Sequence, residues 1–108
     1  MSKKKTQRQH RAKCYISGKI TGLDFACVKE KFAVAEQEVK DMGYIPINPL
    51  KNGVSSDMWG DHMAEDIANL NRCDIVYFLT DWEDSEGAKI EHVFARNSNK
   101  KMIYQEKI

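Results

Sequence analysis

Apolar residues recur along the chain with two different periods. Four short runs, KCYISG, YIPINP, DIVYFLT and KMIYQ, are β-prone and predict four strands, the first at about 13–18. Between these runs, apolar positions three and four residues apart predict three helices, the first at about 24–42 and the third at about 86–98. The order of elements is therefore β-α-β-α-β-α-β.

Each predicted helix has a boundary signal. Asp24 can cap the first helix and Gly43 can end it, while Ser55, Ser56 and Asp57 offer caps for the second. The expected inward faces are Phe25, Val28, Phe32, Ala35, Val39 and Met42 on the first helix, Trp59, Met63, Ile67 and Leu70 on the second, and Ala88, Val93 and Phe94 on the third, with Ile90 and Ala95 near by.

Two strands indicate how the sheet is arranged. DIVYFLT is nearly continuously apolar, as expected for a parallel strand covered on both faces, so it belongs in the middle. Pro46 cannot donate a ladder hydrogen bond, which places YIPINP at an edge. The pattern predicts a small flavodoxin-like or Rossmann-like three-layer α/β fold. Its four-stranded parallel sheet has the order 2-1-3-4, with helices on both faces and right-handed crossovers.

The composition is that of one small domain. The 108 residues are 42% hydrophobic and 31% charged, and no apolar run approaches the roughly 20 residues that span a bilayer. No apolar segment follows the basic N-terminus, so we expect no signal peptide, no membrane contact and a cytoplasmic location. Cys14, Cys27 and Cys73 lack metal-site spacing and lie among apolar residues, which predicts buried, reduced thiols.

Charge is unevenly distributed along the chain. The first 13 residues hold six Lys and Arg and no acidic residue, which leaves 11 basic against 16 acidic residues, about −5, in the rest. We expect residues 1–12 to be a disordered basic tail that touches nucleic acid weakly at most, and residues 13–108 to be the folded domain. An acidic body argues against a nucleic-acid-binding domain.

The loops after the first three strands are the candidate site, because ligands of open α/β sheets bind beyond the carboxyl ends of the strands. Those loops are SGKITGLD, NPLKNGVSSDMW and DWEDSEGA. Gly18 and Gly22 fit either an anion-binding loop or an ordinary turn, and the P-loop and dinucleotide patterns are absent.

The histidines lack ligand spacing, so we expect no metal, and no cofactor. Asn48, Trp59 and Trp82 can contact a base, or serve in turns and packing.

Glu91 is the candidate for chemistry. It falls in the second turn of the predicted third helix, behind a cap at Asp84 or Ser85, where the helix dipole would favour an ionised carboxylate. Such a carboxylate beside a sugar can attack the anomeric carbon or stabilise an oxocarbenium-like transition state. The alternative is an ordinary solvated helix residue.

YISGKITG, GYIPINP, CDIVYFLTDWEDSEGAKIEHVFA and NKKMIYQ resemble the nucleoside 2-deoxyribosyltransferase-like superfamily, over nearly all of residues 13–105. They are most similar to a short branch of unknown function common in bacteria and phages. The resemblance implies that Glu91 is the nucleophile, that Asp66 helps to protonate the leaving base, and that the Tyr15 hydroxyl orients Glu91. The implied reaction is a double displacement on a 2′-deoxynucleoside or its 5′-monophosphate, through a glycosyl-enzyme ester, with transfer to a second base or to water.

The sequence also departs from the transferases. Ser85 stands where they have an aspartate that contacts the base, although Asp84 is adjacent. We also expect no counterpart here of the late segment that supplies sugar contacts in the transferases. A shallow site on so small a sheet would leave a sugar partly exposed to water, so we expect a homo-oligomer, in the simplest case a dimer with the second and third helices near the interface. The predicted substrate-binding residues are Ser17, Gly18, Asn48, Asp81, Trp82, Asp84, Ser85 and Gly87.

Three classes of function remain open. The first is a deoxyribosyltransferase or N-glycosidase that cleaves the N-glycosidic bond of a nucleoside or nucleotide. The second is a noncatalytic module that holds a nucleotide, an ADP-ribose-type molecule or a cyclic nucleotide in the same cleft. The third is a small interaction protein whose basic tail meets nucleic acid.

Overall fold

The structure, a computed structural model, describes residues 11–107, so residues 1–10 of the predicted basic tail lie outside the described residues. The strands are β1 (Lys13–Ser17), β2 (Ile45–Ile47), β3 (Ile75–Phe78) and β4 (Lys101–Tyr104), and the helices are α1 (Phe25–Asp41), α2 (Trp59–Asn71) and α3 (Glu86–Asn97). Short 3-10 helices, Pro49–Lys51 and Trp82–Asp84, follow β2 and β3. The predicted order of strands and helices is confirmed.

The four strands form one parallel sheet in the order β2-β1-β3-β4, as the sequence predicts. β3 pairs with β1 on one side and β4 on the other, so the most apolar strand lies inside the sheet. β2 forms an edge, where the missing N–H of Pro46 is tolerated. In register, Tyr15 of β1 lies opposite Ile47 and Val76.

Successive residues of β1 and β3 point to opposite faces of the sheet, and each face carries its own core. The cluster on the α1 side comprises Cys14, Ile16, Val28, Phe32, Ala35, Val39, Ile75, Tyr77 and Leu79. The cluster on the side of α2 and α3 comprises Tyr15, Leu70, Cys73, Val76, Phe78 and Ala95. With helices packed on both faces, the predicted three-layer α/β fold is confirmed.

The helices begin largely as the sequence predicts, with one difference. Asp24 accepts a hydrogen bond from Cys27 N at 3.4 Å, and Gly43 ends α1 with a φ of +93°. α2, by contrast, has Met58 at its N-cap position and no side-chain cap. Ser56 instead accepts from Met58 N at 3.0 Å and donates to Asp61 at 2.6 Å, so it orders the turn before the helix.

The inward face of α3 differs from the predicted one. Its buried residues are Ala88, Glu91 and Ala95, whereas Ile90 and Val93 are each 45% exposed. The helix is rotated so that small alanines and a glutamate face the sheet. Periodicity alone placed Val93 on the inward face of this helix, and that prediction was wrong.

A few other side chains lie outside the core that the sequence predicted. Phe25 and Met42, at the two ends of α1, are exposed, whereas the buried residues of this helix are Val28, Phe32, Ala35 and Val39. Cys27 is exposed as well, which corrects the expectation of three buried thiols, while Cys14 and Cys73 are buried. Among residues 11–107, no helix is both long and apolar enough to cross a membrane.

Candidate functional site

A cleft of about 480 Å³ opens beyond the carboxyl end of β1, between the loops after β1 and β2, α2 and the start of α3. This is the edge of the sheet at which the sequence places the site. The predicted site residues that line the cleft are Tyr15, Gly18, Asp66, Ser85, Gly87 and Glu91. Their proximity depends on the fold, because the three elements that carry them are far apart in the chain.

Glu91 is held at the base of the cleft by two hydroxyl groups from β1. Tyr15 donates to Oε2 at 2.8 Å and Ser17 donates to Oε1 at 2.6 Å. Both hydroxyls point this way because Tyr15 and Ser17 are two residues apart on one strand and so share a face. Glu91 is only 5% exposed to solvent, and no cation pairs with its carboxyl group among the described residues.

The burial of Glu91 controls its charge. Desolvation raises the pKa of its carboxyl group to about 7, and the negative charge of Asp66 adds to the rise, while the bonds from Ser17 and Tyr15 act in the opposite direction. The sequence favoured an ionised carboxylate here because of the helix dipole, but the dipole acts mainly within the first turn and the effect of burial on the Glu91 pKa is larger. Near neutral pH, Glu91 exchanges readily between its neutral and ionised forms.

Asp66 is the second carboxyl group of the cleft. It is half-buried on α2, and Asn52 Nδ2 donates to its Oδ1 at 2.9 Å. Burial raises the pKa of Asp66, while the bond from Asn52 lowers it. The cleft thus holds two interacting carboxyl groups that compete for protons, which is the arrangement that general acid-base chemistry uses.

The loop after β1 is shaped by packing. A Cβ at Gly18 would lie 2.7 Å from Leu79 Cδ1, so this glycine is required by a buried neighbour, while Gly22 has a φ of +85° in a turn. Asp81 accepts from Lys19 N at 3.1 Å and pairs with Lys31, which itself donates to Lys19 O. Packing against Leu79 therefore accounts for Gly18, and the turn accounts for Gly22.

The start of α3 forms the opposite wall. Ser85 caps the helix by accepting from Ala88 N at 3.0 Å, which selects Ser85 over Asp84 as the cap. Gly87 lies against Met63, whose Sδ would be 3.1 Å from a Cβ at that position. Ser85 and Gly87 are thus placed in the cleft by the helix cap and by close packing with α2.

The remaining predicted residues lie outside the cleft. Asn48 caps the 3-10 helix by accepting from Leu50 N and donates to Glu36 at 3.0 Å. Asp81 holds the loop after β1, and Asp84 is exposed in the short helix Trp82–Asp84. Trp82 stacks on His92, with 4.1 Å between ring centroids, on the β4 side of the sheet. The candidate site therefore contains none of Asn48, Asp81, Asp84 and Trp82.

Two polar residues of the cleft have no counterpart in the sequence predictions. Asn52 and His62 both line it, and the His62 ring contacts Ser56 O at 2.8 Å. Asn52 belongs to the stretch KNGVSS, whose composition is that of a turn, so its contact with Asp66 becomes visible only in three dimensions.

Trp59, a candidate for base stacking, also lines the cleft and is 52% exposed. Within residues 11–107, no group of three or more His, Cys, Asp or Glu is arranged to hold a metal ion.

The fold is similar to that of a solved structure, the 2-desoxiribosyltransferase from Leishmania mexicana. The two superpose with a TM-score of 0.64 at 16% sequence identity, over 86% of this chain and 63% of that chain. The present chain therefore spans less than two thirds of the length of that transferase. At this level of identity the likeness establishes the fold alone, and a search of curated proteins gave no match.

The parallel 2-1-3-4 sheet with helices on both faces defines a small α/β domain of the fold class shared with that transferase. Within that class, the chain belongs to the family described as Domain of unknown function (DUF4406), whose model matches residues 12–104. The resemblance and the fold class that the sequence predicts are both confirmed.

Proposed function

We propose that this domain cleaves the N-glycosidic bond of a 2′-deoxynucleoside or its 5′-monophosphate, as a deoxyribosyltransferase or N-glycosidase. One observation carries the proposal: a carboxyl group that is 5% exposed, without a cation among the described residues, opens onto a cleft and is held by two hydroxyls. Burying such a group costs free energy, and perturbed carboxyl groups concentrate at functional sites. The fold shared with a 2-desoxiribosyltransferase supports the same reaction.

In the first step, the ionised carboxylate of Glu91 attacks the anomeric carbon of the deoxyribose. A carbon–oxygen bond forms as the carbon–nitrogen bond to the base breaks, and the bonding electron pair leaves with the base. Asp66, in its protonated form, gives its proton to the departing nitrogen. The products are a glycosyl ester on Glu91, a neutral base and an ionised Asp66.

In the second step, an incoming base or a water molecule attacks the same carbon and displaces Glu91. Asp66 accepts the proton that the incoming group loses, so both carboxyl groups return to their starting states. The hydroxyls of Tyr15 and Ser17 again hold Glu91 as a carboxylate leaving group. Retention of configuration at the anomeric carbon follows from the two displacements.

A noncatalytic ligand-binding module is the second candidate. Ser85 occupies the position at which the transferases have an aspartate, and its hydroxyl is engaged as the cap of α3. In this alternative, the cleft holds a nucleotide or an ADP-ribose-type molecule without turnover. Retention of a ligand with no release of base would favour it.

The experiment that tests the proposal follows base release by chromatography for a panel of deoxynucleosides and their 5′-monophosphates, with and without a free acceptor base. We expect Glu91→Ala to lower the rate by at least about 10³-fold, since it removes the nucleophile. Glu38→Ala is the matched control. Glu38 also accepts a hydrogen bond from a tyrosine hydroxyl, that of Tyr77 at 2.8 Å, but on the opposite face of the sheet. Release that survives in Glu91→Ala, or that is lost equally in Glu38→Ala, would rule the assignment out.

A further inference from the structure

Asn52 makes two side-chain hydrogen bonds, and together they fix which end of its amide meets the cleft. Its Oδ1 accepts from Val54 N at 2.9 Å, and its Nδ2 donates to Asp66 Oδ1 at 2.9 Å. A backbone N–H can only donate, so the oxygen of the amide must face Val54 and the NH₂ group must face Asp66. The turn at residues 52–54, in which Gly53 has a φ of +77°, therefore aims a donor at the carboxyl group.

We propose that Asn52 is a positioning residue of the active site, which holds Asp66 Oδ1 so that the other carboxyl oxygen is the one presented to the leaving base. This inference rests on the proposed function for the role of Asp66. In a neutral carboxyl group the carbonyl oxygen is the stronger acceptor, so the amide N–H on Oδ1 favours placing the acidic proton on Oδ2. Asn52 thereby orients the general acid without touching the substrate.

The same bond also affects the proton affinity of Asp66. Donation from Asn52 favours the ionised carboxylate and lowers its pKa, against the larger effect of burial. The other groups that face Asp66 are His62, which lowers its pKa, and Glu65, which raises it, together with Glu91 and Tyr15 across the cleft. Replacing only the donor is therefore expected to raise the pKa of Asp66 while those neighbours stay in place.

Asn48 offers a matched comparison within the same loop. Its Oδ1 accepts from Leu50 N at 2.9 Å and its Nδ2 donates to Glu36 at 3.0 Å, so it combines the same turn with the same amide-to-carboxylate bond. Asn48 lies outside the cleft, in a groove beside β2. Asn52→Asp and Asn48→Asp each keep the oxygen that caps the turn and remove one NH₂ donor. Asn52→Ser makes the same deletion without adding a charge beside Asp66, since the shorter hydroxyl can cap the turn but not reach the carboxyl group.

The test measures kcat for two substrates over a range of pH. One is a natural deoxynucleoside, whose base leaves only when protonated, and the other is 4-nitrophenyl 2-deoxyriboside, whose phenolate leaves without a proton. We expect Asn52→Asp and Asn52→Ser to lower kcat about tenfold for the nucleoside and less than about twofold for the nitrophenyl glycoside. The pH profile of the nucleoside reaction should shift to higher pH, because Asp66 must be protonated to act, while the profile of the nitrophenyl glycoside should not. Asn48→Asp should change neither rate by more than about twofold.

A carbon NMR titration of the Asp66 carboxyl group separates this inference from the proposed function. A parent protein that releases no base from any substrate overturns the proposed function, and the titration then decides on Asn52 alone. The contact is supported if the Asp66 pKa is higher in Asn52→Ser than in Asn48→Asp and the parent. An unchanged titration in Asn52→Ser, or an equal loss of kcat on both glycosides, overturns the positioning role.

Discussion

Glu91 occupies a core position of α3, and this placement makes the stability of the protein depend on pH. Because burial raises its pKa to about 7 in the folded protein, the unfolded chain, with the ordinary value of 4.5, loses this proton first as pH rises. The free energy of unfolding should therefore fall between about pH 4.5 and about pH 7 and level off above. We expect Glu91→Gln to remove this fall and to exceed the parent by about 3 kcal/mol at pH 8.

Urea unfolding of both proteins at about pH 4 and about pH 8 checks this expectation. The difference should be small at the lower pH, where Glu91 is neutral and resembles glutamine. A stability difference that is equal at the two pH values would contradict a raised pKa. The expected gain in stability with loss of activity is the compromise that buried functional groups impose.

Tyr15 is expected to act on the pH profile through Glu91. Its hydroxyl stabilises the carboxylate, so Tyr15→Phe should raise the Glu91 pKa further and shift the pH profile of kcat/KM to higher pH. Since Glu91 must be ionised to attack, we expect a loss of about tenfold near pH 6 that shrinks above pH 8. The control is Tyr77→Phe, which removes the equivalent hydroxyl bond to Glu38. A loss that is independent of pH would assign Tyr15 to packing.

At the scale of single elements, sequence patterns predict where helices and strands lie better than which side they bury. Turn residues, caps and apolar runs are local, and they place α3 within one residue of its observed end. The rotation of α3 is not local: its second turn faces the hydroxyls of Tyr15 and Ser17, 76 and 74 residues away in the chain. Only the family resemblance indicated that Glu91 and Tyr15 meet.

The loop after β1 gives a prediction at the same scale. Gly18 follows β1 directly, and a Cβ there would lie within 3.0 Å of three side-chain atoms of the fully buried Leu79, so something must shift. We expect Gly18→Ala to destabilise the fold by roughly 1–3 kcal/mol through overpacking. Chemical denaturation measures this cost, and in a double-mutant cycle with Leu79→Ala much of it should disappear. Additive effects of the two substitutions would show that Gly18 serves something other than this contact.

At the scale of the whole molecule, loops that are equally promising in sequence face different directions. Trp82 and Ser85 are three residues apart, yet Trp82 stacks on His92 near β4 while Ser85 lines the cleft. Trp82 begins the short helix Trp82–Asp84, and Ser85 directly follows it. Sequence reasoning could place the site at the carboxyl ends of the strands, but it could not divide the residues of one loop between two surfaces.

The outer surface of the molecule bears on its oligomeric state, which we propose is a dimer formed through α2 and α3. Ile90 and Val93 lie one turn apart on the outside of α3, each 45% exposed, and Trp59 at the start of α2 is 52% exposed at the rim of the cleft. A second copy packed on this surface would remove apolar area from water and enclose the sugar more fully. We therefore expect the parent to be a dimer by light scattering at micromolar concentration.

Introducing charge on the outside of α3 tests this arrangement. The double variant Ile90→Glu, Val93→Glu should dissociate the dimer and reduce base release, because charges in an apolar interface are costly to desolvate. Val34→Glu is the control, since Val34 is also 45% exposed but lies on α1, on the opposite face of the sheet. A monomeric parent would refute the dimer, and dissociation by Val34→Glu alone would move the interface to α1. If the charged α3 variant were monomeric with full activity, each subunit would contain a complete site. The cleft of a single subunit would then be active without cover from a second copy.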